Sequence, residues 1–378
     1  QDFSARIKIL ALDDSTFSYL GGPRLSYEQM DALLKNIAAR KPKAILIDGL
    51  LAETPYAIPE KVGAKVDIPV YSGSFVAPEK VNYRLETNLE GAAYQTSTYL
   101  SNGLKIDQVN YTLDRLDNWF VYGHSRSYDA LIKASGHIIF NKDTTISPFF
   151  RLNDKTLVPH LSLFAADTIH MDEDHLRIND HVVPLTRDGR VMVNHRNADY
   201  FSKRATPLRY PIQRALNGEE EIKIDEGDVV IILFAFATGN TDFHEGPFGD
   251  MPGGVIIASM VSDVLDGTWM SKWEWDSLLI MIFGVLGIMV GINLSIRSYL
   301  AVLICTWIVY SAAVIALFVY GSIWCPWALP MVAFSGTSLI HFVHVRIYKE
   351  MKLMLIERNF QMEKAKRLER NKPRRRVS

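Results

Sequence analysis

Ile7-Lys-Ile-Leu-Ala-Leu-Asp-Asp14 and Lys43-Ala-Ile-Leu-Ile-Asp48 are the two stretches whose reading decides the fold. Each is a nearly unbroken apolar run that ends in aspartate. A strand that is apolar on both sides must be covered on both faces, and such strands belong to parallel sheets. Between the two runs, Ser26-Tyr-Glu-Gln29 has the form of a capping box. Met30, Leu33, Leu34, Ile37 and Ala38 then recur at helical spacing until Pro42 stops the helix. The pieces form a β-α-β unit.

Working outward, residues 54–122 show no clear period and read as a long insertion with short elements. A short helix is expected over 129–135, a strand over 137–141 and a helix over 159–169. Asp188-Gly189 signals a hairpin between 182–185 and 191–194. A helix over 211–216 closes at Gly218. Residues 229–235 are the most apolar strand, followed by a Gly-containing loop to Gly254 and a helix over 255–265 that closes at Gly267.

The charge distribution rules out a purely soluble protein. The 378 residues carry 41 Lys+Arg against 42 Asp+Glu, a net charge of −1. Yet between Asp276 and Arg346 the only charged side chain is that of Arg297. Three apolar segments, 275–294, 299–320 and 327–345, each approach the ~20 residues that span a bilayer. None has the polar face of a soluble core helix. Trp273, Trp275, Trp324 and Trp327 stand at their ends, as interfacial aromatics do. The Lys- and Arg-rich end, 346–378, belongs in the cytoplasm by the positive-inside rule, which puts residues 1–270 outside. This topology requires a signal peptide or N-terminal anchor ahead of Gln1, so a mature or trimmed form is expected. With only Cys305 and Cys325, there is no disulfide framework. The fold class is thus an α/β extracytoplasmic domain with a mixed, largely parallel sheet, followed by an all-α three-helix transmembrane anchor. A basic helical tail continues the third span.

Six blocks in order carry a resemblance: IKILALDDS, KAILIDGLLAE, DALIKASGHIIF, VPLTRDGRVMVNHR, GDVVIILFAFATGNTD and PGGVIIASMVSDVLDG. Together with the three spans that follow, they resemble the second type of CHASE domain, the cyclase- and histidine-kinase-associated sensory extracellular family. The resemblance covers about residues 7–345. It implies a sensory module outside the bacterial inner membrane, placed ahead of a cyclase, kinase or similar output.

Candidate sites follow from the strand ends. Asp13, Asp14 and Asp48 close two predicted parallel strands, and Asp242 follows a third. That edge of an open α/β sheet is where ligands bind, and converging carboxylates suit a hard cation or an amine. The alternative is that each Asp caps a helix or closes a turn. No nucleophile or base accompanies them, so the chain reads as a non-catalyst that needs no cofactor. Thr238-Gly-Asn-Thr-Asp242 lacks the spaced glycines and Gly-Lys-Ser/Thr ending of a phosphate loop. Asn194, His195 and Arg196 read as a solvated strand end. His341 and His344 share a helical face, with Cys305 as the one further candidate ligand nearby. Gly284, Gly287 and Gly291 lie on one face of the first span and suit close helix packing.

Partners follow from the tail. Arg374, Arg375 and Arg376 end a basic stretch that suits anionic lipid rather than nucleic acid. Residues 347–370 also suit a linker to a cytoplasmic output protein, or packing on another subunit of an oligomer. Two readings compete: a sensor that relays a signal across the membrane, and a structural subunit of an envelope complex for motility, secretion or energy transduction.

Overall fold

The computed structural model describes residues 2–22, 25–49, 51, 66–77, 89, 91–100, 104–116, 120–124, 128, 130–140, 145–196, 198–219, 223–235, 243–246 and 249–370. The chain divides into two compact units, Gln1–Ser271 and Lys272–Ser378.

The first unit is built on a seven-stranded sheet. Its strands are β1 (Ile7–Leu12), β2 (Ala44–Ile47), β3 (Val70–Ala77), β4 (Phe120–Tyr122), β5 (Ile132–His137), β6 (Ala205–Pro207) and β7 (Val229–Phe234). They run in the order β6-β1-β7-β2-β3, and β3 then takes both β5 and β4. All pairs are parallel except β3 with β4.

The longer helices of this unit are α1 (Asp14–Leu20), α2 (Tyr27–Ala38), α3 (Ala198–Arg204), α4 (Arg209–Asn217) and α5 (Gly253–Asp266). Alternate strand residues serve two cores. Leu10, Leu12, Ile45, Ile47, Val230 and Ile232 pack with Leu33, Leu34 and Ile37 of α2 and Ile212 of α4. Ile7, Ile9, Leu46, Ile231 and Leu233 face the other way, onto α5. Covering on both faces explains why these strands read as unbroken apolar runs. The capping box forms as its residues dictate. Ser26 Oγ accepts the Gln29 N–H at 3.2 Å, and Gln29 Oε1 accepts the Ser26 N–H at 2.8 Å.

Several local expectations are corrected. Residues 130–135 are not helical; they lead into β5, which ends at His137 instead of beginning there. Gly136 explains this, because a Cβ there would stand 2.7 Å from the backbone of Leu161. Only a glycine strand lets the layer above approach so closely. The stretch read as an insertion supplies β3, which lies between β2 and β5 in the main sheet. Residues 159–169 form only a 3₁₀ turn at Leu161–Ala165 before a strand at Ile169–Met171. The Asp188-Gly189 turn exists, with Gly189 at φ 71°, and Leu185 pairs antiparallel with Val191 across it, but the longer strands on its flanks pair elsewhere. His181–Val183 pairs with Leu176–Ile178, and Val191–Met192 with Thr145–Ile146. The Gly-containing loop holds a hairpin of Phe243–Gly246 and Gly249–Pro252.

The second unit consists mainly of α6 (Asp276–Asn293), α7 (Ile296–Gly321) and α8 (Ala328–Arg370), each long and apolar enough to cross a membrane. Contacts of Gly287 with Phe334 and of Gly291 with Ser338 rise together in number, so α6 and α8 run parallel and side by side. Tyr299 stacks on Phe342 at 4.5 Å, and Trp307 Nε1 donates to Ser335 Oγ at 3.0 Å, so α7 runs antiparallel to α8.

A Cβ on Gly287 would meet the Phe334 carbonyl oxygen at 2.4 Å, and one on Gly291 the Ser338 carbonyl oxygen at 2.3 Å. Gly284 differs. Its Cβ would meet nothing, and it joins the seam by accepting the Thr337 hydroxyl at 2.9 Å. Gly287→Leu is therefore expected to separate α6 from α8 at a cost of about 1–3 kcal/mol, whereas Gly284→Leu is tolerated. Thermal denaturation of both variants in detergent checks this; equal behaviour of the two sinks the seam.

Candidate functional site

At the carboxyl edge of the sheet one of the predicted aspartates is a helix cap. Asp13 is the N-cap of α1: its Oδ1 accepts the Thr16 N–H at 2.8 Å and the Thr16 hydroxyl at 2.7 Å, and Ser15 donates to it as well. Partial burial pushes its pKa up, but these hydrogen bonds outweigh that and hold the carboxyl below the usual range. Asp14 sits exposed in the first turn of α1. Asp48 is buried, and its Oδ2 lies 2.9 Å from where a Cβ of Gly254 would stand, against the first turn of α5. A carboxylate there complements the positive end of the helix. Asp13 and Asp48 thus serve two different helices. Asp242 lies outside the described residues. Among the described residues, no group of three His, Cys, Asp or Glu side chains is placed to hold a metal.

Beside this edge stands a buried polar cluster that sequence reasoning missed. Ser72 and Ser135, paired across β3 and β5, share a hydroxyl–hydroxyl hydrogen bond of 2.7 Å. Tyr94 donates to the Ser135 carbonyl at 2.8 Å, and His124 Nδ1 meets the Ser135 hydroxyl at 2.8 Å. His137 ends β5 with its ring 5.0 Å from that of His160, and both are fully buried. His160 Nδ1 is held by Ser162 at 2.7 Å, while the Nε2 atoms of both rings have no partner. Burial drives the His160 pKa down to about 3. Burial and the neighbouring His160 drive His137 well below its usual value, so both rings are neutral.

The strongest electrostatic feature lies at the other end of α5, where the chain leaves the unit. Arg196 and Asp263 have side chains 1% and 0% exposed, and Arg196 Nη1 donates to Asp263 Oδ1 at 2.7 Å. Arg196 also donates to the Asn194 carbonyl and, through Nη2, to Thr268 Oγ1 at 2.8 Å. Thr268 Oγ1 donates to Asp263 at 2.9 Å, and the Asn194 N–H donates to its other oxygen at 3.1 Å. The N-terminus joins this clamp. Ser4 N–H donates to Ser262 Oγ at 2.6 Å, its hydroxyl to Asp266 at 2.8 Å, and Arg6 to the Leu265 carbonyl. Burial pushes the Asp263 carboxyl up to about 7 against the pull of Arg196, Asn194 and Thr268. His195, beside the clamp, is pushed down to about 4 by burial and by the charge of Arg196.

Residues 194–196 are therefore not a solvated strand end. The signal that reveals them is Asp263 itself, one carboxylate in a helix buried from Gly253 through Leu265. Such a group demands a partner.

Of the other sequence candidates, His341 donates from Nδ1 to the Thr337 carbonyl at 2.9 Å, within its own helix. The basic stretch continues α8 without a break to Arg370. Arg374, Arg375 and Arg376 lie outside the described residues.

The sequence model of one protein family, the CHASE2 domain, matches residues 1–291. The chain belongs to the CHASE2 family. No curated protein and no solved structure matches it. The family match takes in the whole first unit, and three candidate membrane-spanning helices occupy the C-terminal end. In this CHASE2 domain the clamp at the exit, not the carboxyl edge, concentrates the buried charge.

Two outcomes are expected. Arg196→Ala leaves Asp263 buried without its cation and should cost about 3–5 kcal/mol, whereas the pair Arg196→Met with Asp263→Leu should recover most of it. Denaturant titration of the three proteins measures this; a double variant no better than the single one argues against the clamp.

The second concerns pH. An unfolded imidazole takes up a proton near pH 6.5 while folded His137, His160 and His195 do not. Their contribution is whole above that value and is lost as the pH falls below it. Asp263, raised to about 7 from 3.8, acts in the opposite sense across pH 4–7 but is outnumbered. Stability should thus fall between pH 6.5 and 4.5. Replacing His137 and His160 by Gln should flatten the slope by about 1.4 kcal/mol per pH unit for each ring. Melting curves across that range decide it, and an unchanged slope counts against neutral burial.

Proposed function

We propose that the chain is a bacterial inner-membrane sensor whose CHASE2 domain stands on the periplasmic side, and that it relays a signal or contact to a partner at the cytoplasmic face. The observation that carries this reading is α8. A single helix of 43 residues includes both the third apolar span and the basic stretch beyond it, so the two move as one body. Gly287 and Gly291 bring α6, the first helix of the second unit, against the same rod. Motion delivered to α6 therefore has a packed route to the basic end. The Lys and Arg after Val345 support a cytoplasmic side for that end. The chain itself performs no chemistry in this reading, and anionic lipid holds the basic stretch at the surface.

A second reading, a structural subunit of an envelope complex, is favoured by one observation. Beyond the span, Ile347, Leu353, Met354, Leu355, Ile356 and Phe360 are all exposed, an apolar surface that suits a protein neighbour or another copy of the chain.

Thiol labelling tests the proposal. In a background with Cys305→Ser and Cys325→Ser, an impermeant maleimide on cells with an opened outer membrane should label the Ser202→Cys protein. The Asn359→Cys protein should label only after the inner membrane is permeabilised. The reverse pattern overturns the topology. The labelling rate of Asn359→Cys should also change when Gly287→Leu is added, and an unchanged rate sinks the relay.

A further inference from the structure

We infer that the membrane anchor holds the acyl chain of a bilayer phospholipid in a crevice between α7 and the turn that leads into α8. The crevice has a volume of about 630 Å³. Ser311, Val314, Ile315 and Phe318 recur at helical spacing on one face of α7 and form one wall. The turn Trp324-Cys-Pro-Trp327 and Ala328, the first residue of α8, form the other. Local rules keep the two walls apart. Helix α7 is capped by Ser322 in the left-handed region, at φ 51°. Pro326 then keeps Cys325 out of the helical region, so α8 starts only at Ala328.

The polar groups of the walls are spent on holding them. Trp327 Nε1 donates to Ser311 Oγ at 3.1 Å, and the Tyr310 hydroxyl donates to the Pro326 carbonyl at 2.5 Å. The Trp273 N–H donates to the Trp324 carbonyl at 2.9 Å. Trp324 meets Phe318 edge to face, and Trp327 meets Trp307 in the same way, with centroids 6.1 and 6.0 Å apart. These contacts tie the turn to α7, so the space between them is formed in advance. Apart from these groups the lining offers hydrocarbon, indole rings and the Cys325 thiol, a weak donor. A buried water needs two to four polar partners, and a polar ligand would lose its hydration with little in exchange.

The occupant therefore comes from the bilayer. Helix α7 and the start of α8 belong to two of the three candidate membrane spans. Tryptophans gather at headgroup level, so a crevice walled by Trp324 and Trp327 lies where acyl chains begin. Ile315, Phe318, Trp324 and Trp327 are all exposed, which leaves the crevice open on one side. A neighbouring helix does not fit. With its side chains it is about 10–12 Å wide, and 630 Å³ accommodates only about one turn of it. An acyl chain is a single file of methylenes that can lie along Val314 and Phe318, and each methylene taken up adds to the affinity. The site goes beyond the relay reading and stands without it, because binding at the head of α8 does not depend on what α8 conveys.

The test titrates the full chain in detergent with a phosphatidylcholine whose acyl chain carries a photoreactive diazirine, and maps the cross-linked peptides by mass spectrometry. Cross-links within residues 311–328 should saturate at a single lipid per chain. Val314→Phe and Ala328→Phe fill the crevice, and each should lower that yield about tenfold, since lost room for two methylenes is enough for such a drop in affinity. Ala312 is exposed on α7 and does not line the crevice, so Ala312→Phe should leave the yield unchanged. The two filling variants add bulk to open space and should melt like the wild type; if one fails to fold, the other decides. Cross-links that rise with lipid without saturating, and spread over the exposed faces of all three spans, show solvating lipid only and overturn the inference. So does a yield that both fillings leave intact, or the lack of any cross-link within 311–328. A disulfide joining two copies of Ile315→Cys, in a background with Cys305→Ser and Cys325→Ser and in higher yield than for Ala312→Cys, gives the crevice to a second chain and overturns it too.

Discussion

A buried carboxyl group on a helix has to be met by donors from the chain itself, and at Asp263 three donors come from two separate parts of the sequence. Arg196 and the Asn194 backbone approach from one side and Thr268 from another. Around them Ser4 and Arg6 tie the start of the chain to the last turn of α5. The opposite end of the same helix rests on the Asp48 carboxylate beside Gly254. So α5 has an anion at its positive end and a guanidinium near its negative end, the arrangement its dipole favours. With thirteen of its residues buried from Gly253 to Leu265, it cannot slide without breaking one of these contacts. The position of the chain exit depends on that.

Where the chain obeys local rules, the sequence discloses the structure. Strands β1, β2 and β7 are apolar on both faces because both faces are covered, and Ser26 and Gln29 form their cap without help from distant residues. Strands β3 and β5 are hidden because β3 contains Ser72-Gly-Ser74 and β5 ends in Ser135-Gly-His137, stretches poor in good strand formers. They are strands because small side chains let a second layer press close, as Leu161 does over Gly136. No window of sequence contains that fact. The candidate site divides in the same way. Asp13 and Asp48 are legible as strand-end carboxylates; Asp13 caps α1, and Asp48 lies buried against the first turn of α5. The clamp joins residues 67 positions apart, beyond any local pattern, although a lone Asp among Val, Ile and Leu pointed to it.

The two edges of the sheet therefore carry different work. At the carboxyl edge, aspartates stand at helix starts, and neutral imidazoles and hydroxyls fill the interior. At the amino edge the chain gathers full charges: the clamp under α5 on one face, and Lys8 with its partners Asp228 and Asp225 on the other. Because α5 runs antiparallel to the strands, its last turn and the start of β1 meet there, which is why Ser4 and Arg6 can reach Ser262 and Leu265. The CHASE2 match covers both edges.

Helix α8 also has a consequence in angles. Forty-three residues in one helix extend about 65 Å, roughly twice the thickness of the hydrocarbon core. In an unbroken helix each residue is fixed at about 100° from the last. The azimuth of the helix face near Lys366 is thus set by the register of Thr337 and Ser338 against Gly284 and Gly291. Adding two residues between these points would turn the far end through about 200°, nearly to its opposite face, while adding seven would return it to within about 20°. The seam between two glycines and their neighbouring carbonyls is in this sense a phase reference, and the far end of the chain inherits its compass bearing from it.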